Sequence, residues 1–145
     1  MLFRSGCPDV SDEEIRQAAS AAMCDEFVLR LPRGYDTVLG QDGVHLSGGE
    51  AQRISIARAI VRNAPVLVLD EATAFADPEN EQMIQAALER LMKGKTVIMI
   101  AHRLGTVKGA DAIMVMQNGK IAETGTHQCL VGKNGLYSEM WERYE

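Results

Sequence analysis

Apolar residues recur along this chain with a spacing that changes from segment to segment, and each change marks an element. Met1 to Val10 has no clear period, and Pro8 discourages a helix there. From Ser11 to about Cys24 the apolar positions are Ile15, Ala18, Ala19, Ala22 and Met23, which share one face of a helix. Ser11 with Glu14 is the capping-box pair that opens such a helix. Phe27 to Leu31 forms a short apolar segment stopped by Pro32, and Arg33-Gly34-Tyr35-Asp36 reads as a turn.

Gly40 and Gly43 bracket a loop leading into LSGGEAQRISIARAIVRNAPVLVLDEAT, residues 46–73, the stretch around which the rest is organised. Ser47 and Glu50 make a second capping box, so a helix is predicted to start at Ser47. Its Ile54, Ala57, Ile60 and Val61 keep helical spacing toward a core, with Arg53, Arg58 and Arg62 expected on the more polar side. Asn63-Ala64-Pro65 ends it. Val66 to Leu69 is an unbroken apolar run, the pattern of a buried parallel strand, and it closes in Asp70-Glu71. Asp77-Pro78 then starts another helix, with Met83, Ala87, Leu88 and Leu91 as its predicted buried face and Gly94 as its stop. Thr96 to Ile100 is a second short strand with His102 just beyond it. Strand, helix, strand predicts a right-handed parallel crossover, which places both strand ends on one site. Ala112 to Met116, Asn118-Gly119 and Lys120 to Glu123 predict a hairpin. From Gly125 onward two short helical pieces follow, the last docking through Leu136, Tyr137, Met140 and Trp141.

The chemistry suggested by residues 46–73 is specific. Gly48 and Gly49 stand in the first turn of a helix, where free N–H groups and the helix dipole favour an anion such as phosphate. Asp70 and Glu71 stand where acids project from the C-terminal end of a parallel strand. Phosphate at a helix start and carboxylates at a strand end point to a nucleotide with magnesium. Composition narrows this further. The 145 residues suit one domain, and 46% apolar content is enough for a core. A formal charge of −5 argues against a general nucleic-acid partner. Cys7, Cys24 and Cys129 lack the paired spacing of a zinc or redox site and read as reduced thiols. No run approaches the ~20 apolar residues of a membrane span, and no basic-apolar leader opens the chain, so the chain itself is expected to be soluble.

At this point the words themselves carry a resemblance. LSGGEAQR resembles the signature motif of ATP-binding cassette (ABC) ATPases, and VLVLDEAT resembles their Walker B strand. IAHR is similar to their switch-histidine region, AFAD falls where the D-loop stands, and YDTVLGQDG resembles the exporter type. The motifs follow in family order and cover essentially the whole chain. The resemblance implies a partial P-loop NTPase fold of the α/β class. Parallel strands are flanked by helices, with a remnant of the helical signature subdomain and a C-terminal hairpin plus short helices. It implies a single partial nucleotide-binding domain over 1–145, divided into a helical-subdomain remnant (1–62) and a Walker B, D-loop and switch-histidine half (63–145).

The resemblance also implies roles. Glu71 would be the catalytic carboxylate that polarises the attacking water, and His102 would contact the γ-phosphate and link it to Glu71. Asp70 would hold Mg²⁺ through water. Leu46, Ser47, Gly48, Gly49 and Glu50 would bind, in trans, the ATP held by a second nucleotide-binding domain in a head-to-tail dimer. Asp77 would cross that interface while also capping its helix. The further partners implied are the transmembrane domains of a transporter, at the cytoplasmic face of a membrane. Glu50 stands where Gln is commonest, and AFAD departs from the usual SALD toward a form associated with siderophore-type transporters of exporter architecture. No GxxxxGK[ST] occurs, so the phosphate-cradling loop with its lysine is absent and the isolated chain is expected to be inactive. Two other readings compete: an orphan signature half that completes a partner's ATP site without hydrolysing, and the head of a DNA-repair or chromosome-organising ATPase. The second predicts coiled-coil heptads before Ser47, and the sequence shows none.

Overall fold

A computed structural model describes residues 3, 7, 9–38, 44–70, 78–101 and 104–144. The chain divides into two compact units, 1–98 and 99–145.

Among its described residues the first unit is built on four α-helices. α1 (Asp12–Ala21) is opened by Ser11, whose backbone N–H donates to Glu14 Oε2 at 3.0 Å while the Glu14 N–H donates to Ser11 Oγ at 3.3 Å. The capping box read from sequence is therefore formed in both directions, satisfying two backbone donors that the first helical turn leaves open. α2 (Asp25–Val28) follows, then a 3-10 turn at Gly34–Asp36. α3 (Gly48–Arg62) packs against both α1 and α4 (Pro78–Met92). Asn63 in the left-handed region ends α3, a conformation that asparagine tolerates.

The core of this unit gathers Ile15, Ala19, Phe27, Val28, Ile54, Ala57, Ile84, Leu88 and Leu91, with Leu67 contributed by β1 (Val66–Asp70). β1 pairs with β2 (Thr96–Ile100) in a small parallel sheet, with α4 in the connection between them. Gly94, at φ +73, turns the chain out of α4.

Three sequence expectations shift here. The buried face of α4 is Ile84, Ala87, Leu88 and Leu91, at relative positions 0, 3, 4 and 7, with Met83 half-buried beside it. Arg53, expected on the polar side of α3, is 6% exposed. And β1 is covered on one face only: Leu67 is buried, whereas Val66 and Val68 are 51% and 65% exposed. Side chains alternate between the faces of a strand, so an unbroken apolar run predicts two covered faces. Among the described residues only one is covered.

The second unit packs a hairpin on two short helices. β3 (Ile113–Gln117) and β4 (Lys120–Gly125) pair antiparallel around Asn118 and Gly119, both at positive φ as the tight hairpin turn requires. Ile113 and Val115 face Leu130 of α5 (His127–Val131) and Tyr137 and Trp141 of α6 (Leu136–Glu142). The Glu123 carboxylate accepts from the backbone N–H groups of Leu136 (2.7 Å) and Tyr137 (3.1 Å), joining β4 to the start of α6. Tyr137 and Trp141 are the buried docking residues, Leu136 packs half-buried beside them, and Met140, expected in the same face, is exposed.

Candidate functional site

The start of α3 is built as the sequence predicts. Ser47, in extended conformation, donates its backbone N–H to Glu50 Oε2 at 2.8 Å, and the Glu50 N–H donates to Ser47 Oγ at 3.2 Å. This closed box fixes where the helix begins and therefore where its first N–H groups lie. Glu50, the departure from the commoner Gln, serves as the box's acceptor for the Ser47 N–H, a task either residue performs. Leu46 packs against the core and anchors the approach, Gly49 is buried, and Ser47 and Gly48 are exposed. A glycine at the surface of a helix start leaves backbone amides open to an anion.

Gly48 lines one end of a groove of about 670 Å³. Along it run Gln52, Ser55 and Ile56 of α3, Leu88 and Leu91 of α4, and Leu69 and Asp70 of β1. The helix start and the strand-end carboxylate thus open on one groove. Asp70 is exposed. A single oxygen donor of this kind suits Mg²⁺, which keeps several waters and takes its remaining ligands from phosphate. Among the described residues no group of three or more His, Cys, Asp or Glu side chains comes together as a protein-only cage would need. Glu71, Asp77 and His102 lie outside the described residues.

What sequence reasoning missed lies behind the helix start. Arg53, one and a half turns into α3, carries its guanidinium over the Phe27 ring at 5.1 Å from the centroid, and its Nη1 meets Met83 Sδ at 2.6 Å. The nearby Cys24 thiol is fully buried and pushed up to about 12, chiefly by burial, with the Arg53 charge pulling the other way and Asp25 adding to the rise. Helical spacing contained the signal, because Arg53 neighbours the buried Ile54 and Ala57 on the wheel.

The ABC transporter family model matches residues 8–74. The ATP-dependent lipid A-core flippase of Legionella pneumophila (strain Paris) is 54% identical over 134 residues, 92% of this chain and 23% of that protein. A solved structure of a bacterial Atm1-family ABC exporter with ATP bound superposes with a TM-score of 0.84 at 44% identity, covering 98% of this chain and 25% of that one. The chain belongs to the ABC transporter family, as an exporter-type cassette sequence. The mycobactin import ATP-binding/permease protein IrtA of Mycolicibacterium smegmatis is also 54% identical, over 93% of this chain and 16% of that protein. The cassette thus spans about a quarter or less of the relatives it matches. One relative is named a flippase and another an import protein. ABC domains in general bind ATP with Mg²⁺ and are ATPases. Among the described residues no helix is long and apolar enough to cross a membrane.

Proposed function

We propose that this chain supplies the signature and Walker B side of an ATP-hydrolysing unit that powers an exporter-type ABC transporter. The observation that carries the reading is the capped start of α3 sharing a groove with the strand-end carboxylate of Asp70. In this reading Leu46, Ser47, Gly48, Gly49 and Glu50 form the helix start that meets the γ-phosphate of ATP held by a second nucleotide-binding domain, with Gly48 and Gly49 supplying the backbone amides, since those of Ser47 and Glu50 are used in the capping box. Asp70 orients a hydrated Mg²⁺, and that ion supplies charge neutralisation to the phosphates when bound. Glu71 accepts a hydrogen bond from the attacking water, His102 holds the γ-phosphate side of that contact, and Asp77 reaches across the dimer. The unit works at the cytoplasmic face of a membrane, coupled to transmembrane domains that carry the transported substrate.

The chain alone carries no glycine-lysine phosphate loop, so it binds ATP weakly and does not turn it over. A domain completed with such a loop provides the test. Glu71→Gln there keeps size and hydrogen bonding but removes the charge, so ATP binding survives while hydrolysis falls by about 10²–10³. Single-turnover hydrolysis beside equilibrium ATP binding reads both quantities. Magnesium-dependent turnover by the 145-residue chain itself, abolished by the same substitution, would overturn the proposal.

A further inference from the structure

Arg53 is the one described residue whose buried side chain holds a polar atom, Nε, without a hydrogen-bond partner among the described residues. At 6% exposure it has lost nearly all contact with water, and removing an ion from water is costly even after relaxation. What it receives in return is weak. A ring face from Phe27 and a thioether from Met83 satisfy a guanidinium far less well than a carboxylate does. A methionine or leucine here would fill the same space without the desolvation cost. The charge is therefore not explained by stability.

Its position offers an explanation. Phe27 belongs to α2, Arg53 to α3 and Met83 to α4, so one side chain touches all three helices where they meet. Arg53 lies on the same helix as Ser47 and Gly48, about 8 Å along the axis from the capped start, at roughly 1.5 Å per residue. The guanidinium is flat, and its stacking direction over a ring is restricted in a way that an aliphatic chain's is not. Holding that plane between Phe27 and Met83 fixes the rotation of α3 about its own axis. That rotation sets where the exposed helix start at Ser47 and Gly48, with the Gly48 and Gly49 amides that the capping box leaves over, points.

We infer that Arg53 is a positioning residue, which sets the rotation of α3 so that the amides at its start face a phosphate held by the partner domain. The inference rests on the trans-phosphate reading proposed above. The orientation matters because electrostatic stabilisation by fixed dipoles depends on aim, and a helix turned by a fraction of a step presents its amides elsewhere. Arg53 does not line the groove itself. It acts through the helix that carries it.

The test uses Arg53→Met and Arg53→Lys in the completed domain. Three quantities are measured for each: the thermal midpoint, ATP affinity of the monomer, and ATP-driven dimerisation by sedimentation. Arg53→Met is expected to keep or raise the midpoint and to leave monomer affinity unchanged, since that belongs to the phosphate loop. Dimerisation is expected to weaken by about tenfold, a typical coupling between packed elements. Arg53→Lys keeps the charge without the flat stack and is expected to recover dimerisation only in part. Unchanged dimerisation in Arg53→Met would overturn the inference. So would a midpoint lower by more than about 10 °C, which marks an ordinary stabilising contact. Ser47→Arg run alongside separates the two layers: if that variant dimerises normally, the trans-phosphate reading fails, whatever Arg53 does.

Discussion

Cys24 and Cys129 sit at opposite extremes of thiol chemistry in the same chain. Cys24 is fully buried, its thiol donating to the Ala22 carbonyl at 3.7 Å, while Cys129 is exposed on α5. Thiolate is the reactive form, so Cys129 should be labelled by a thiol reagent at pH 8 within minutes and Cys24 only on unfolding. Mass spectrometry of the labelled chain checks this. The pH dependence has a definite sign. With its pKa raised to about 12 in the fold, Cys24 stays neutral while the unfolded chain ionises near the ordinary value of 9.0. Its contribution to stability is thus complete below pH 9 and lost as pH climbs toward 12. Urea midpoints across that window should fall more steeply for the native chain than for Cys24→Ala. A residual slope in the variant belongs to Tyr35, whose phenol is also raised to about 12, chiefly by burial, with the hydrogen bond it donates to Asp25 adding to the rise, and to Tyr137, raised by burial. Equal slopes would mean that Cys24 is not shielded as the packing indicates.

At the scale of elements, the helix starts were legible, and so was most of each apolar face, such as Ile15, Ala18 and Ala19 of α1 and Ala87, Leu88 and Leu91 of α4. Ser11–Glu14 and Ser47–Glu50 announce themselves because a capping box is local: both partners lie within one turn. Ser47→Ala and Ser11→Ala should each cost about 1 kcal/mol in urea unfolding. Losses near zero would show that the boxes do not hold in solution. The hairpin turn at Asn118-Gly119 was legible for the same local reason. The burial of Arg53 was not read, because its polarity assigns an arginine to water and outweighs its place beside Ala57 on the wheel; its contacts with Phe27 of α2 and Met83 of α4 place it inside. The bond from Glu123 to the start of α6 was also hidden, since its partners lie 13 and 14 residues away. That bond yields a prediction at Gly135. A β-carbon there would press on Glu123 Oε1 and push the carboxylate off the two amides it accepts from. Gly135→Ala should therefore destabilise the second unit by about 1–3 kcal/mol. Hydrogen exchange at the Leu136 and Tyr137 amides checks it, with faster exchange expected at both.

At the scale of the whole molecule, the sequence motifs carried the family, and packing then qualified one part of the fold. A run such as Val66 to Leu69 says that a strand is apolar on both faces; it cannot say that both faces are covered within the chain that carries it. Val66, Val68 and Ile98 are each more than half exposed, and Val68 and Asp70 line the groove beside α3. The places of Glu71, Asp77 and His102 at strand ends and a helix start were legible from local pattern, their roles only through the motifs; all three lie outside the described residues, so those roles rest on the proposal. The central claim is that the start of α3 acts on a phosphate held by another domain. Ser47→Arg in the completed domain tests it most directly, because a bulky cation at the helix start blocks that approach without touching the domain's own phosphate loop. Monomer ATP affinity and ATP-driven dimerisation are measured side by side. The account predicts native-like ATP affinity with dimerisation and hydrolysis both lost; dimerisation and hydrolysis at native levels would contradict it and leave Ser47–Glu50 as a helix cap alone.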